Sequence, residues 1–110
     1  MMIAAGCLTA GCATIDEIAP PIDPRNPRTG AQTEIADQML ARLEYGRQLY
    51  LTDCAACHSP EPVTRYSRAR WNDTLPRMAR EARLNAEQES AVAAYIDYVL
   101  ERAAESAAAR

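Results

Sequence analysis

Near the middle of the chain, Cys54-Ala55-Ala56-Cys57-His58 sets two thiols two residues apart and puts the sequence's one histidine directly after the second. Two thiols so spaced can each add to one of the two vinyl groups of a haem, and the imidazole that follows at once can reach the iron as proximal ligand. Four Cys and one His scattered at random over 110 residues would give this arrangement roughly once in a thousand chains, so chance is a poor explanation. Two other uses of such residues fare worse. A thioredoxin-like pair sits at a helix start after a strand in a βαβ setting, whereas here it follows a helical pattern. Structural zinc needs four ligands, and beyond Cys54, Cys57 and His58 the folded part offers no further Cys or His.

The elements that must hold this motif read as helices. Ile35, Met39, Leu43, Gly46, Leu49 and Tyr50 recur at three- and four-residue steps between Glu34 and Leu51, which predicts an amphipathic helix with Met39 in the core. Ser67 can cap a short second helix through Trp71, and Pro76 is expected to break or restart it, leaving Met78 in the turn just after the proline. Asn85 with Gln88 three residues on forms a capping box for a long final helix, whose buried stripe is Ala91, Val92, Tyr95, Ile96, Val99 and Leu100 and whose alanine-rich end frays. No alternating strand pattern and no internal repeat is present, so the expected class is all-α.

With these residues in view, the sequence from about Glu34 to Glu105 resembles the class I c-type cytochromes, in particular compact mono-haem bacterial domains. Gly46 and Tyr50 match that family's Gly-x-x-x-aromatic pattern in the first helix, and Tyr95 matches the aromatic that packs across it from the last. The resemblance implies a bundle of three main helices wrapped around one covalently bound haem c per chain, held by Cys54, Cys57 and His58. It also implies a sixth ligand, commonly a methionine downstream; Met78 is the one methionine after His58, so the implied iron ligands are His58 and Met78. The ordinary reading of Met78 without the haem motif is a flexible core filler. Trp71 and Tyr66 read as core packing, with the variant that the Trp71 indole N–H bonds a haem propionate. Arg65, Arg68, Arg70, Arg77, Arg80 and Arg83 stand against Asp73 and Glu81. They read either as a solvated face or as a rim that neutralises propionates and docks an acidic redox partner.

The chain's ends and composition bear on compartment. Residues 1–11 are uncharged and mostly apolar or small, the length of a signal-peptide core and too short to span a bilayer. Leu8-Thr9-Ala10-Gly11-Cys12 resembles a bacterial lipobox, which implies acylation of Cys12 as the mature N-terminus, although no positively charged segment precedes it. Ala4-Ala5-Gly6-Cys7 is a weaker second match. Residues 12–33 are expected to be the anchor cysteine and a proline-rich linker. With Pro20, Pro21, Pro24 and Pro27 in polyproline geometry it would reach roughly 60 Å, the alternative being a loop packed on the domain. The resemblance implies that residues 34–110 are the haem domain.

Apolar residues at 48% and charged ones at 25% exclude a polytopic membrane protein and a fully disordered chain. Twelve basic residues, all arginine, face fifteen acids for a net charge of -3, which provides no basic footprint for nucleic acid. The absence of Phe, with one Trp and five Tyr, fits a core that a haem helps to fill. The expected function is therefore electron transfer at the periplasmic face of a bacterial membrane. The chain would be a carrier or a subunit beside redox proteins such as a dehydrogenase or terminal oxidase, and not an enzyme. The alternatives are a haem sensor or peroxidase-like protein with an open sixth position, and a thiol-disulfide oxidoreductase using free Cys54 and Cys57.

Overall fold

The computed structural model describes residues 13–24, 33–57 and 59–109. Among the described residues four α-helices follow one another: α1 (Ile15–Ile18), α2 (Thr33–Leu51), α3 (Arg68–Glu81) and α4 (Ala86–Ala108), with a 3-10 turn at Val63–Arg65. No strand occurs among the described residues, in keeping with an all-α class.

The architecture rests on the crossing of α2 and α4. Leu43, Leu49 and Tyr50 on α2 and Ala91, Val92, Tyr95, Ile96 and Val99 on α4 are buried against each other and against Trp71 and Leu75. Gly46 sits where the two backbones come closest. A Cβ built there would stand 2.1 Å from the Ala91 carbonyl oxygen and 2.9 Å from the Tyr95 Cβ. Glycine mid-helix costs ~1 kcal/mol against alanine, and the close approach is what offsets that cost.

α4 begins as its sequence dictates. The Asn85 side chain accepts from the Gln88 N–H at 2.8 Å, and the Gln88 side chain accepts from the Asn85 N–H at 2.9 Å. It continues to Ala108, so the alanine-rich end expected to fray is helical almost throughout. Near the start of α4, Arg42 reaches Ser90, and Gln88 donates to the Tyr45 hydroxyl at 3.2 Å. Met39, expected in the core, is exposed, although it has the phase of the buried face of its helix.

α3 corrects the sequence reading more directly. It runs unbroken for 14 residues with Pro76 inside it. The missing proline N–H would have bonded the carbonyl of Asn72, and Asn72 is exposed, so solvent can satisfy that oxygen. Burial of Trp71, Leu75 and Ala79, four residues apart on one face, outweighs the local penalty. The helix ends in a Schellman motif: Leu84 N–H donates to the Ala79 carbonyl at 2.9 Å and Arg83 N–H to that of Arg80 at 3.1 Å. Arg83 takes the left-handed position at φ 58°, where glycine is usual.

The described part of the expected linker is packed on the domain. A capping box between Thr14 and Glu17 starts α1. Ala19 and Ile22 are buried in the common core, and the Tyr95 hydroxyl donates to the Pro20 carbonyl at 2.6 Å. Arg47 donates through Nε to the Ala19 carbonyl at 3.0 Å and pairs with Asp16 at 3.2 Å. The free tether expected from Ala13 onward is therefore corrected for residues 13–24, which form a strap. Its prolines prevent helix and strand but leave carbonyls free to accept from side chains.

Candidate haem site

At the end of α2 the chain turns sharply. The Thr52 N–H donates to the Gln48 carbonyl at 3.0 Å and the Cys54 N–H to that of Leu49 at 3.1 Å. This closure tucks Cys54 under the helix end, 8% exposed, while Cys57 stays in the open; neither forms a disulfide. Burial first, and the neighbouring Asp53 carboxylate second, push the Cys54 thiol up to about 11, so it is protonated at neutral pH. His58, the expected proximal ligand, lies outside the described residues, as do Cys7 and Cys12.

Cys54 opens into a cleft of about 320 Å³. Tyr50, Tyr66 and Trp71 supply its aromatic lining, and Arg70, Thr74, Arg77, Met78 and Glu81 line it from α3. The α3 positions follow from helix geometry: residues 70, 74, 77 and 81, and 71 and 78, recur at the steps that bring side chains to one face. Met78 is thus half-buried inside a helix and not in a turn, yet it shares one cleft with Cys54. A second, smaller hollow is lined by Cys54, Cys57 and Met78 together. The continuous helix, and not the expected turn after Pro76, places Met78 at these two hollows.

Two of these rings, Tyr50 and Trp71, are pinned by their polar atoms. Trp71 is buried with Nε1 donating to the Val63 carbonyl at 2.8 Å, so its indole N–H is already committed and the propionate-bonding variant is set aside. Tyr50 donates its hydroxyl to the Glu61 carbonyl, and the Tyr50 and Trp71 rings meet edge-on at 6.0 Å. Burial raises the Tyr50 hydroxyl well above the ordinary phenol range and keeps it a donor. Tyr66 stands edge-on to Trp71 at 5.4 Å and carries the Arg70 guanidinium over its outer face at 4.9 Å.

These bonds fix the loop between the cysteines and α3. Their backbone partners were missed in the sequence, where Tyr66 and Trp71 read as core packing or, for Trp71, as a propionate donor; the signal was that every ring in a chain without Phe carries a donor or acceptor.

The arginine run divides by structure. Arg65 pairs with Glu61 at 3.1 Å, Arg68 pairs with Asp97, and Arg70 rests on Tyr66. Arg77, Arg80 and Arg83 are exposed on and just beyond α3, with Arg77 at the cleft.

No family model, no curated protein and no solved structure matches this chain. The site must be judged on its own chemistry. The donor set fits a covalently held haem: a buried thiol and a thioether meet in one aromatic hollow, a second thiol stands beside them, and two guanidiniums at the rim can balance carboxylates. Among the described residues no group of three or more His, Cys, Asp or Glu could hold a metal ion by itself.

Proposed function

We propose that this chain is a single-haem electron-transfer protein of the c-type cytochrome kind. The observation that carries the reading is the Cys54-Ala55-Ala56-Cys57-His58 motif, whose first cysteine lines the same cleft as Met78. In this reading Cys54 and Cys57 attach the haem through thioethers, and His58 and Met78 ligate the iron. When bound, the haem supplies a one-electron Fe(III)/Fe(II) couple.

The chain's own residues do the rest. Tyr50, Tyr66 and Trp71 exclude water from the apolar side, and the Tyr50 hydroxyl and Trp71 indole N–H are already committed to backbone carbonyls. The Met78 thioether favours the reduced state by being a neutral, soft ligand. Arg70 and Arg77 balance carboxylates at the cleft rim. Arg77, Arg80 and Arg83 offer positive charge to an acidic redox partner. Acylation of Cys12 would place the protein at the periplasmic face of a bacterial membrane; among the described residues no helix is long and apolar enough to cross one.

Two observations weigh against the alternatives. A thiol-disulfide oxidoreductase needs an accessible thiolate at the first cysteine, whereas Cys54 is buried and its thiol is held up to about 11. A peroxidase-like site needs a distal acid-base group, and the sequence has no histidine besides His58.

The deciding experiment is spectroscopy of the exported, haem-loaded protein. The wild type should be low-spin, resist carbon monoxide and show a weak far-red sulfur-to-iron band when oxidised. Met78→Ala should lose that band, bind carbon monoxide and have a lower reduction potential. Ready carbon monoxide binding by the wild type, with band and potential unaltered in Met78→Ala, would replace the carrier with the open-site alternative.

A further inference from the structure

The strap at residues 13–24 has no part in the chemistry proposed above, yet it is fastened along its whole length. Thr14 and Glu17 cap each other at 2.7 and 3.2 Å, and Asp16 and the Ala19 carbonyl are both held by Arg47 on α2. The Pro20 carbonyl accepts from Tyr95 on α4, and the Asp23 N–H donates to the Tyr98 hydroxyl at 3.0 Å. Ala19 and Ile22 enter the core between these bonds. Such a segment is a structural part of the domain and cannot pay out as a tether.

Cys12 is two residues from Thr14, where the fastening begins, a span of at most about 7 Å of extended chain. Ile15, the first residue of α1, is 63% exposed, more so than Met39 or Tyr45. The strap also lies apart from the cleft. Tyr95, bonded to Pro20, has its ring 6.4 Å from that of Tyr50, and Tyr50 in turn lines the cleft, so two buried rings stand between strap and cleft.

We infer that the α1 face, with Ile15 at its tip, is a lipid-contact surface: a bilayer anchored at Cys12 lies directly against it, and the cleft is turned away toward water. This rests on the acylation of Cys12 proposed above and goes beyond it, since a lipid anchor alone leaves orientation free. A proline-rich linker would have let the domain sweep tens of ångströms. The fastened strap instead fixes which face meets lipid and leaves Arg77 at the cleft, with the exposed Arg80 on the same helix, open to a water-soluble partner.

The test uses the full-length, haem-loaded protein purified from membranes and placed at low density in phosphatidylethanolamine–phosphatidylglycerol vesicles. Intact mass first reports whether Cys12 is acylated. Nitroxide labels are then attached to Ile15→Cys and, separately, to Arg80→Cys, both exposed positions whose substitution leaves the core intact. Collision with oxygen against a water-soluble nickel chelate gives the depth of each label. The expected result is a several-fold higher oxygen-to-nickel ratio at position 15 than at position 80.

Acylated protein with two equally water-exposed labels overturns the orientation while leaving the anchor standing. A protein without acyl mass overturns the anchor and the orientation together. Shielding of position 15 that persists in lipid-free detergent alongside a dimeric mass by light scattering assigns the face to a second copy and overturns the lipid contact.

Discussion

Replacing Gly46 by Ala tests the helix crossing on which the site is built. By helix propensity alone the change should stabilise α2 by ~1 kcal/mol. The crossing opposes it. The new Cβ would stand 2.1 Å from the Ala91 carbonyl oxygen and 2.7 Å from its carbon, both backbone atoms of α4. An ordinary carbon-to-oxygen contact is roughly 1 Å longer, and close-packed interiors have no slack to supply it. The two helices must therefore part, disturbing the seats of Tyr50 and Tyr95.

Overpacking by a methyl group typically costs 1–3 kcal/mol, and an obstruction by backbone belongs at the upper end. After the propensity gain the net loss is about 2 kcal/mol, a fall of roughly 8 °C in Tm for a domain of this size. Thermal unfolding of the haem-loaded protein, followed by circular dichroism at 222 nm, reads it. Because the two effects have opposite signs, a rise in Tm would refute the close crossing outright.

Tyr95→Phe removes the hydroxyl that holds the Pro20 carbonyl and should lower stability by about 1 kcal/mol in urea unfolding, with faster protease cleavage of the strap; wild-type cleavage would mean that bond does not fasten it. Arg83→Gly relieves a left-handed residue, a gain of ~1–2 kcal/mol, against the ~0.4–1 kcal/mol that added glycine freedom costs through the unfolded chain. The expected net is a rise in Tm of a few degrees, and a fall would mean that Arg83 makes a contact outweighing its strain.

In protein produced without haem, the raised Cys54 pKa contributes stability that is intact below about pH 9 and is lost as pH rises toward about 11. The sign follows because the unfolded thiol releases its proton first. Cys54→Ala should flatten that part of the pH–stability curve, and an unchanged slope would assign the loss to other groups.

Most of the helical frame was legible because it is encoded locally. The Asn85 and Gln88 pair marks the start of α4, and the periodic apolar stripe marks its buried face, both within a few residues of sequence. Gly46 was legible for a different reason: with Tyr50 it matches a Gly-x-x-x-aromatic pattern of the family the sequence resembles, and the close approach to Ala91 accounts for it. What escaped was set by distant partners. Pro76 reads as a break until Trp71, Leu75 and Ala79 are seen buried on one continuous face.

The strap reads as a linker because its fastening runs from Tyr95 and Tyr98, 75 residues away, to backbone atoms that no side-chain pattern reveals. Met39 has the right phase on α2, yet it is exposed, because phase says nothing about which part of a helix its partners cover. At the site, spacing alone named Cys54 and Cys57. Their unequal exposure came from the Cys54 N–H bond to Leu49, a tertiary consequence of how α2 closes.

The most direct test of the central claim is the intact mass of the protein exported in a host with haem-maturation machinery, compared with Cys54→Ala, Cys57→Ala and His58→Ala. The wild type should exceed the apo mass by one haem that survives denaturation. Either cysteine variant should hold haem loosely or not at all, and His58→Ala should lose the low-spin spectrum. An unchanged wild-type mass with two titratable thiols at Cys54 and Cys57, or a normal spectrum in His58→Ala, would contradict it.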